Sequence, residues 1–486
     1  MRLEGLLLGQ TYKVLQGVLN ENITGIANDS RKINEGFAFV AIKGFEQDGH
    51  LYIGQAIQNG AHTIILEDRD AYGEIPENIT VVEVPIGRKA LAAMATHFYN
   101  NPSKQFKLVG VTGTNGKTST VFLINNVLEY YNRKTGLIGT ILNKIDNKVY
   151  DAERTTPESI ELKSLFYDLA EANVNDVIIE VSSHALDLYR VAYTSFDVGV
   201  FTNLTLDHLD YHKTMDNYKA AKAKLFKMCA TGVINIDDEA AEYMMENGTC
   251  STYTTFSTKD PSAVLYGYDI INRLAGVSFK LKYEGKTYDV SMQTPGEFTV
   301  YNGMAAIGAL LALHVTMEEI IVALEKNSQI KGRFQSIESP TGFTTIVDYA
   351  HAPDGLLNVL TSMKGFATKK IITVFGCGGD RDKTKRPIMG EIAGTYSDYC
   401  IITSDNPRTE EPATIIDEVE VGIKKTKCDY IKITDRKEGI EKALSIAEPG
   451  DLVLIAGKGH EDYQIIGKVK HHFDDVEIVN EFYKGV

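Results

Sequence analysis

Short apolar runs closed by glycine, proline or polar turns alternate with stretches of helical periodicity along the chain, and that alternation predicts an α/β protein. Residues 37–42, 62–66 and 79–84 read as strands of a small α/β unit over residues 1–104, and Asn101-Pro102-Ser103 then breaks the pattern. From Lys107 an apolar run enters a glycine-rich loop and a helix, and the runs 176–181, 198–202 and 231–236 alternate with further helical segments. Apolar strands separated by helices argue a mainly parallel sheet covered on both faces. Residues 253–256, 277–283 and 286–292 read as antiparallel strands and 297–324 as helix, completing a central unit over 105–330. In a third unit, 331–486, the runs 370–375, 399–403 and 451–456 each lead into a polar motif, at 376–381, 405–408 and 457–461. Ligands sit outside the carboxyl ends of parallel strands, so these motifs are expected to converge on one crevice.

The composition, 43% hydrophobic and 24% charged over 486 residues, excludes a disordered, collagen-like or coiled-coil chain and suits about three domains. With 65 acidic against 50 basic residues the net charge of −15 gives no general attraction to nucleic acid or an anionic membrane. Any anionic ligand needs a local basic pocket. Cys229, Cys250, Cys377, Cys400 and Cys428 never form the close sequence pairs of metal or redox motifs and are expected to be reduced and mostly buried. The leucine run 6–8 beside Glu4 is too short for a signal peptide or a bilayer span, so a cytoplasmic protein without membrane insertion is expected.

The first candidate chemistry lies in GVTGTNGKTST, residues 110–120, between an apolar run and a helical stretch. Gly113, Thr114, Asn115, Gly116, Lys117, Thr118 and Ser119 can turn backbone N–H groups, an ammonium and a Mg²⁺-ligating hydroxyl toward phosphates at a helix N-terminus. Strict P-loop spacing wants glycine where this chain has Val111, with Gly110 and Gly113 on either side. A nucleotide-free glycine turn is the alternative, and ATP is the reading adopted. Glu180 ends an apolar run, where a lone carboxylate needs a partner, and a metal ion would serve. Asp207, His208, Asp210 and His212 crowd into six residues, as metal ligands do, although a solvated helix start has the same composition.

Taken together, DSR (29–31), TGTNGKTST (112–120), TTPE (155–158), EVSSHALDLYR (180–190), NLTLDHLDYH (203–212), AAKAKLF (220–226), GRF (332–334), DYAHAPD (348–354), GCGGDRDKTKRP (376–387), DNPR (405–408) and AGKGHEDYQ (456–464) resemble the Mur ligase family of peptidoglycan synthesis. Within it they resemble the MurE type, which adds the third residue to UDP-N-acetylmuramoyl-L-Ala-D-Glu. The resemblance implies an ATP-dependent acid–amino-acid ligase that works through an acyl phosphate. Its units would be a UDP-sugar-binding N-terminal domain, a central ATPase and a C-terminal Rossmann-like domain. It further implies that Lys117 contacts the phosphates, that Thr118 and Glu180 hold one Mg²⁺ and that His208 touches a second. Lys222 matches the lysine that CO₂ carbamylates, although among Lys219, Lys224 and Lys227 it reads on charge pattern alone as exposed. Asn302 would contact adenine, with Thr299 standing where the family often has Asn, and Arg333 and Asp348 would reach ATP from the C-terminal unit. Ser30, Thr155, Thr156, Ser182 and Arg190 match positions that hold the UDP-sugar peptide, while singly each hydroxyl reads as a helix or turn cap.

DNPR bears on the amino acid added, because the planar fork of Arg408 suits a distal carboxylate, which meso-diaminopimelate has and L-lysine lacks. The resemblance adds Arg381, Asp405, Asn406, Pro407, Gly457 and Glu461 to that pocket, with Glu461 facing the distal ammonium. The alternatives are the same ligase acting with L-lysine, a folylpolyglutamate-synthetase-like ligase, against which the first 104 residues weigh, and a non-catalytic nucleotide-dependent binding protein. A monomer with no nucleic-acid partner is expected, and His471 and His472 are assigned to structure.

Overall fold

The computed structural model describes residues 1–44, 47–71 and 73–485. Among these residues the strands form three sheets and a two-stranded hairpin. The N-terminal sheet runs Lys13–Gln16, Thr80–Glu83, Ala61–Leu66, Phe37–Val40, Gly25–Ala27, with the first strand antiparallel and the rest parallel. Ile64, Ile65 and Leu66 are all buried, which explains a run of apolar residues rather than an alternation.

The central eleven-stranded sheet has a parallel block, Leu265–Arg273, Thr252–Ser257, Cys229–Asn235, Phe196–Phe201, Lys107–Thr112, Asp176–Glu180 and Thr135–Ile138. Antiparallel strands extend both edges. Two apolar layers cover its faces, one carrying helices Lys117–Tyr130 and Glu297–Ala312, the other helix Ser159–Glu171. Two expectations are corrected here. Thr252–Ser257 is parallel to both neighbours, because helix Ala241–Glu246 carries the chain back across the sheet and the strand re-enters in the same direction. The helical stretch 297–324 is two helices, Glu297–Ala312 and Met317–Lys326, the second opened by a capping box of Thr316 with Glu319.

The C-terminal sheet runs Gln335–Glu338, Thr344–Asp348, Leu452–Ala456, Ile371–Phe375, Tyr399–Ile402, Asp429–Lys432, with only the first strand antiparallel. Hairpin Tyr463–Ile466 and Val469–His472 follows its central strand Leu452–Ala456. Cys400 and Cys428, distant in sequence, bring their sulfurs to 3.7 Å, since the backbone pairing of neighbouring strands sets Tyr399 against Asp429. Cysteine spacing therefore missed a close thiol pair, although all five cysteines are free. Among the described residues no helix is long and apolar enough to cross a membrane.

Lys163 on helix Ser159–Glu171 is fully buried, donating to Thr194 Oγ1 at 2.5 Å and to the Tyr193 carbonyl at 3.3 Å. Burial pushes its pKa down to about 7 from the 10.5 it keeps when unfolded. Between those values the unfolded chain binds the extra proton, so stability rises with pH across the window and is lost as pH falls toward the lower value. Lys163→Met is expected to flatten the rise of Tm over that window in thermal unfolding. A variant whose Tm follows the wild type throughout would show that Lys163 is not its source.

Candidate active site

Three adjacent parallel strands, Phe196–Phe201, Lys107–Thr112 and Asp176–Glu180, end side by side and deliver the loops of the site. After Lys107–Thr112 the chain turns through Gly116, whose φ of 82° lies in the left-handed region, and starts helix Lys117–Tyr130 with no side-chain cap. The helix therefore presents its first N–H groups and the positive end of its dipole. Gly116 also has no room for a larger residue, because a Cβ there would lie 2.3 Å from Asn302 Oδ1. Asn302 thus stands against the glycine-rich loop.

The loop is held from the next strand end. Asn115 N donates to Asn203 Oδ1 at 2.9 Å, Thr202 Oγ1 donates to the Asn115 carbonyl at 2.6 Å, and Thr114 N donates to the Asn203 carbonyl at 2.9 Å. Lys117 folds its ammonium back on the carbonyls of Gly113 and Thr114 at 3.0 and 2.8 Å. Burial lowers its pKa, an effect that the Glu180 and Asp207 charges oppose. Ser119 occupies the first turn of the helix.

Glu180 is completely buried at its strand end. Its oxygens accept the Thr118 hydroxyl at 3.0 Å each, Thr140 N at 2.8 Å and Thr140 Oγ1 at 3.1 Å. Among the described residues no basic side chain forms an ion pair with it, so its charge remains open to a cation. Thr155 Oγ1 lies 3.0 Å from Thr140 Oγ1, and Thr156 Oγ1 donates to the Glu180 carbonyl at 2.8 Å. Ser182 caps helix Ser183–Asp187, and Arg190 donates to the Thr156 carbonyl at 3.1 Å and pairs with Glu158 at 2.8 Å.

Lys222 is 1% exposed, which overturns the solvent-exposed reading of its charge pattern. Tyr218 and Ala221 on the same helix, Met215–Ala223, are buried with it. Its ammonium sits 4.4 Å from the centre of the Tyr218 ring and meets no hydrogen-bond or ion-pair partner among the described residues. Burial, reinforced by the Lys117 ammonium, drives its pKa well below the ordinary lysine value. His208, held at a φ of 55°, packs its ring edge against His184 at 5.0 Å. The acidic and histidine crowding at 207–212 does not become a metal cluster. His212 turns inward, with Nε2 2.9 Å from Ser183 Oγ and its ring stacked on Tyr218, while Asp210 points to solvent. Among the described residues no group of three or more His, Cys, Asp or Glu side chains is arranged to hold a metal.

From the C-terminal unit Arg333 reaches across, donating through Nη2 to Thr118 Oγ1 at 3.1 Å, with its guanidinium over the Tyr349 ring at 4.8 Å. Its Nε has no hydrogen-bond partner among the described residues. Asp348 fixes that turn, accepting Phe334 N at 2.7 Å and Ala350 N at 2.8 Å, and burial raises its pKa. A cavity of about 560 Å³ between the two units includes Arg333 in its wall together with Gln293, Gln329 and Lys331.

The three C-terminal motifs do converge. Gly379 N donates to the Asn406 carbonyl at 2.9 Å, and Arg408, at a φ of 51°, donates through Nη1 to the Gly379 carbonyl at 2.8 Å. Arg381 and Arg408 flank Gly378, where a Cβ would lie 2.9 Å from Arg408 Nη1 and 3.9 Å from Arg381 Cγ. A Cβ on Gly379 would lie 1.9 Å from the Pro407 carbonyl, and one on Gly457, whose φ is 119°, 2.5 Å from Asp405 Oδ2. Glu461 accepts Asn406 Nδ2 at 3.0 Å and Tyr349 Oη at 3.5 Å, and burial together with the nearby Asp405 charge raises its pKa.

The structure gathers Thr118, Glu180 and Arg333 by direct contact, with the Lys117 ammonium within reach of the Glu180 charge. Ser30 is not joined to Thr155, Thr156, Ser182 or Arg190. It donates to Gln55 at 3.0 Å within the N-terminal unit. Sequence reasoning missed Thr140, Thr202, Asn203, His184, Tyr349 and Lys458. Asn203, His184, Tyr349 and Lys458 stand inside quoted motifs and were within reach, whereas Thr140 and Thr202 carry no sequence signal.

Comparison with known proteins gives three family matches: residues 22–99 to the Mur ligase family, catalytic domain, 111–310 to the Mur ligase middle domain, and 332–459 to the Mur ligase, glutamate ligase domain. The chain is 46% identical over 482 residues to the UDP-N-acetylmuramoyl-L-alanyl-D-glutamate--2,6-diaminopimelate ligase of Caldanaerobacter subterraneus subsp. tengcongensis, covering 99% of this chain and 98% of that one. It is 47% identical over 486 residues to the relative of the same name from Alkaliphilus oremlandii, covering 99% and 98%. A solved structure of a ligase of that name matches with a TM-score of 0.73 at 31% identity, over 100% of this chain and 99% of that one.

Proposed function

The chain belongs to the Mur ligase family, and on that premise we propose that it joins meso-diaminopimelate to the D-Glu γ-carboxylate of UDP-N-acetylmuramoyl-L-Ala-D-Glu in peptidoglycan precursor synthesis. It is an ATP-dependent ligase. The observation that carries the choice of amino acid is the C-terminal pocket, where the Arg408 guanidinium and the Arg381 side chain meet at Gly378 while Asp405 stands against Gly457 with Glu461 nearby. Such a pocket complements a molecule with both a carboxylate and an ammonium at its far end. L-lysine has no distal carboxylate for either guanidinium to grip.

A carboxylate is a poor acylating agent at neutral pH. The γ-carboxylate would therefore attack the ATP γ-phosphorus, releasing ADP and forming an acyl phosphate, and the amine would then displace phosphate to form the amide. Both partners of the first step are anions, so positioning them and offsetting their repulsion is the main task. Lys117, the N–H groups from Gly113 to Ser119 and Arg333 supply the positive potential, with Asp348 holding the Arg333 turn. Asn302 would take the nucleotide base side. Thr118 and Glu180 would hold Mg²⁺, with His208 and Lys222 at a second ion, and the unpaired, buried carboxylate of Glu180 fits that duty. Mg²⁺ when bound draws charge from the phosphates and organises them.

Lys222 would act as its carbamate. A neutral amine attacks CO₂ and sheds a proton, which converts an ammonium into an anionic oxygen donor. The depressed pKa of this buried amine supports the neutral form. Unit 1–104 would bind the UDP-sugar through Ser30, with Thr155, Thr156, Ser182 and Arg190 of unit 105–330 on the peptide, and unit 331–486 the amino acid. The enzyme would work as a monomer in the cytoplasm, where ATP is available.

Phosphate release from ATP and the UDP-dipeptide, with meso-diaminopimelate against L-lysine, tests the reading. Release with diaminopimelate is expected, and preference for lysine would overturn the amino-acid choice. In the same assay Arg408→Ala is expected to raise KM for diaminopimelate by roughly 10- to 100-fold, the value of a lost charge-assisted pair. An unchanged KM would remove Arg408 from recognition.

A further inference from the structure

We propose that Lys458 is a positioning residue that assembles both halves of the amino-acid pocket, through the Asn406 side chain on one side and the Tyr463 carbonyl on the other. The inference rests on the reading of that pocket given above and assigns a role to a side chain that reading does not use. Lys458 is completely buried two residues past the end of the central strand Leu452–Ala456. Its Nζ donates to Asn406 Oδ1 at 3.0 Å and to the Tyr463 carbonyl at 2.5 Å, and lies 3.5 Å from Glu461 Oε2.

Each contact has a consequence in the pocket. Asn406 Oδ1 accepts from Lys458 and from Ile465 N at 2.9 Å, so the amide cannot turn over and its Nδ2 must face Glu461. Lys458 thereby orients the carboxylate that would receive the distal ammonium. The Tyr463 contact anchors the first strand of hairpin Tyr463–Ile466 and Val469–His472. That strand holds the backbone of Arg408, whose N–H donates to the Ile465 carbonyl at 3.1 Å and whose carbonyl accepts Gly467 N at 2.8 Å. The left-handed backbone of Arg408 is thus held by a segment that Lys458 ties down. One ammonium serves the cation-binding and the carboxylate-binding ends of the pocket.

Charge is the second part of the role. The groups facing Glu461 are Asp405, Lys458, Tyr349, Tyr463 and the Arg436 guanidinium, the last already paired with Asp475 at 2.7 Å. Burial and Asp405 both raise the Glu461 pKa, and Lys458 is the cation that opposes them. Without it Glu461 takes up a proton at higher pH and loses its attraction for an ammonium.

Lys458→Met and Lys458→Arg, assayed beside the wild type, test this. Lys458→Met is expected to raise KM for meso-diaminopimelate about tenfold or more, with KM for ATP and UDP-dipeptide and saturated kcat nearly unchanged. Its KM should climb further as pH falls, over a range where the wild type stays flat, and Lys458→Arg should recover part of the loss. Equal changes in all three KM values, or a diaminopimelate KM like the wild type at every pH, would overturn the proposal. Hydrogen exchange of residues 463–467, read without substrate, is expected to quicken in Lys458→Met, and unchanged exchange there would also overturn it. If Lys458→Met does not fold, Lys458→Arg carries the same readouts: a shift confined to the diaminopimelate KM supports the role, and wild-type values in both assays refute it. A wild type that ignores diaminopimelate would sink the substrate reading, while the exchange result would still decide the role of Lys458.

Discussion

Lys222→Ala is expected to lower kcat by about 10³-fold while leaving the fold intact, with part of the activity returning on addition of short-chain carboxylic acids. The size follows from removing one preorganised charge at the reacting phosphates, worth roughly 3–4 kcal/mol. The rescue follows from where the side chain lies. Lys222 fills a buried position beside Tyr218, with no hydrogen bond or ion pair that the fold would lose among the described residues. Alanine leaves a slot with the Lys117 ammonium nearby, and a small carboxylate in that slot restores an anion close to where a carbamate would stand. Steady-state phosphate release with and without added acid measures the effect. A fully active variant, or an inactive but folded one that no acid rescues, would leave the carbamate without support. Depleting CO₂ from wild-type enzyme should lower activity reversibly if the same group is at work.

Glu180→Gln is expected to cost about 10²- to 10³-fold in kcat and to raise the Mg²⁺ concentration needed for half-maximal rate. The substitution keeps size and shape, so its effect reads charge and hydrogen-bond polarity. Both Glu180 oxygens accept, one from Thr140 N and the other from Thr140 Oγ1, with the Thr118 hydroxyl shared between them. An amide can keep one of these acceptors and must set its NH₂ against donors at the other, which pushes Thr118 or Thr140 away. Thr118 also meets Arg333, so the disturbance passes to the boundary between the units. KM for the amino acid, whose proposed pocket lies in a different unit, should change little. A Glu180→Gln enzyme within a few-fold of wild type at all Mg²⁺ concentrations would show that this carboxylate has no part in metal binding.

Much of this protein is written in local order. The alternation of apolar runs and helical segments, the glycine-rich loop between strand and helix, and the polar motifs after residues 375, 402 and 456 depend on residues close together in the chain. Those features set the α/β class, the glycine-rich loop at a helix start and the convergence of the C-terminal motifs, because backbone geometry makes them short-range properties. Direction and burial are different. Whether Thr252–Ser257 lay parallel depended on the crossover through helix Ala241–Glu246, and no pattern within the strand records it.

The same limit applies to chemistry. Lys222 reads as one exposed lysine among several, and only the packing around Tyr218 makes it a buried amine of low basicity. Glu180 could be suspected of needing a partner, yet Thr140, forty residues earlier, supplies two of its donors. Arg408 offered itself in the sequence as a candidate carboxylate fork, whereas the hairpin that holds its backbone and the Lys458 bridge behind it carried no sequence signal. A side chain's type and spacing are fixed by the chain alone. Its pKa, its orientation and its partners arise from desolvation and from contacts across long sequence separations, and those exist only once the sheets have assembled.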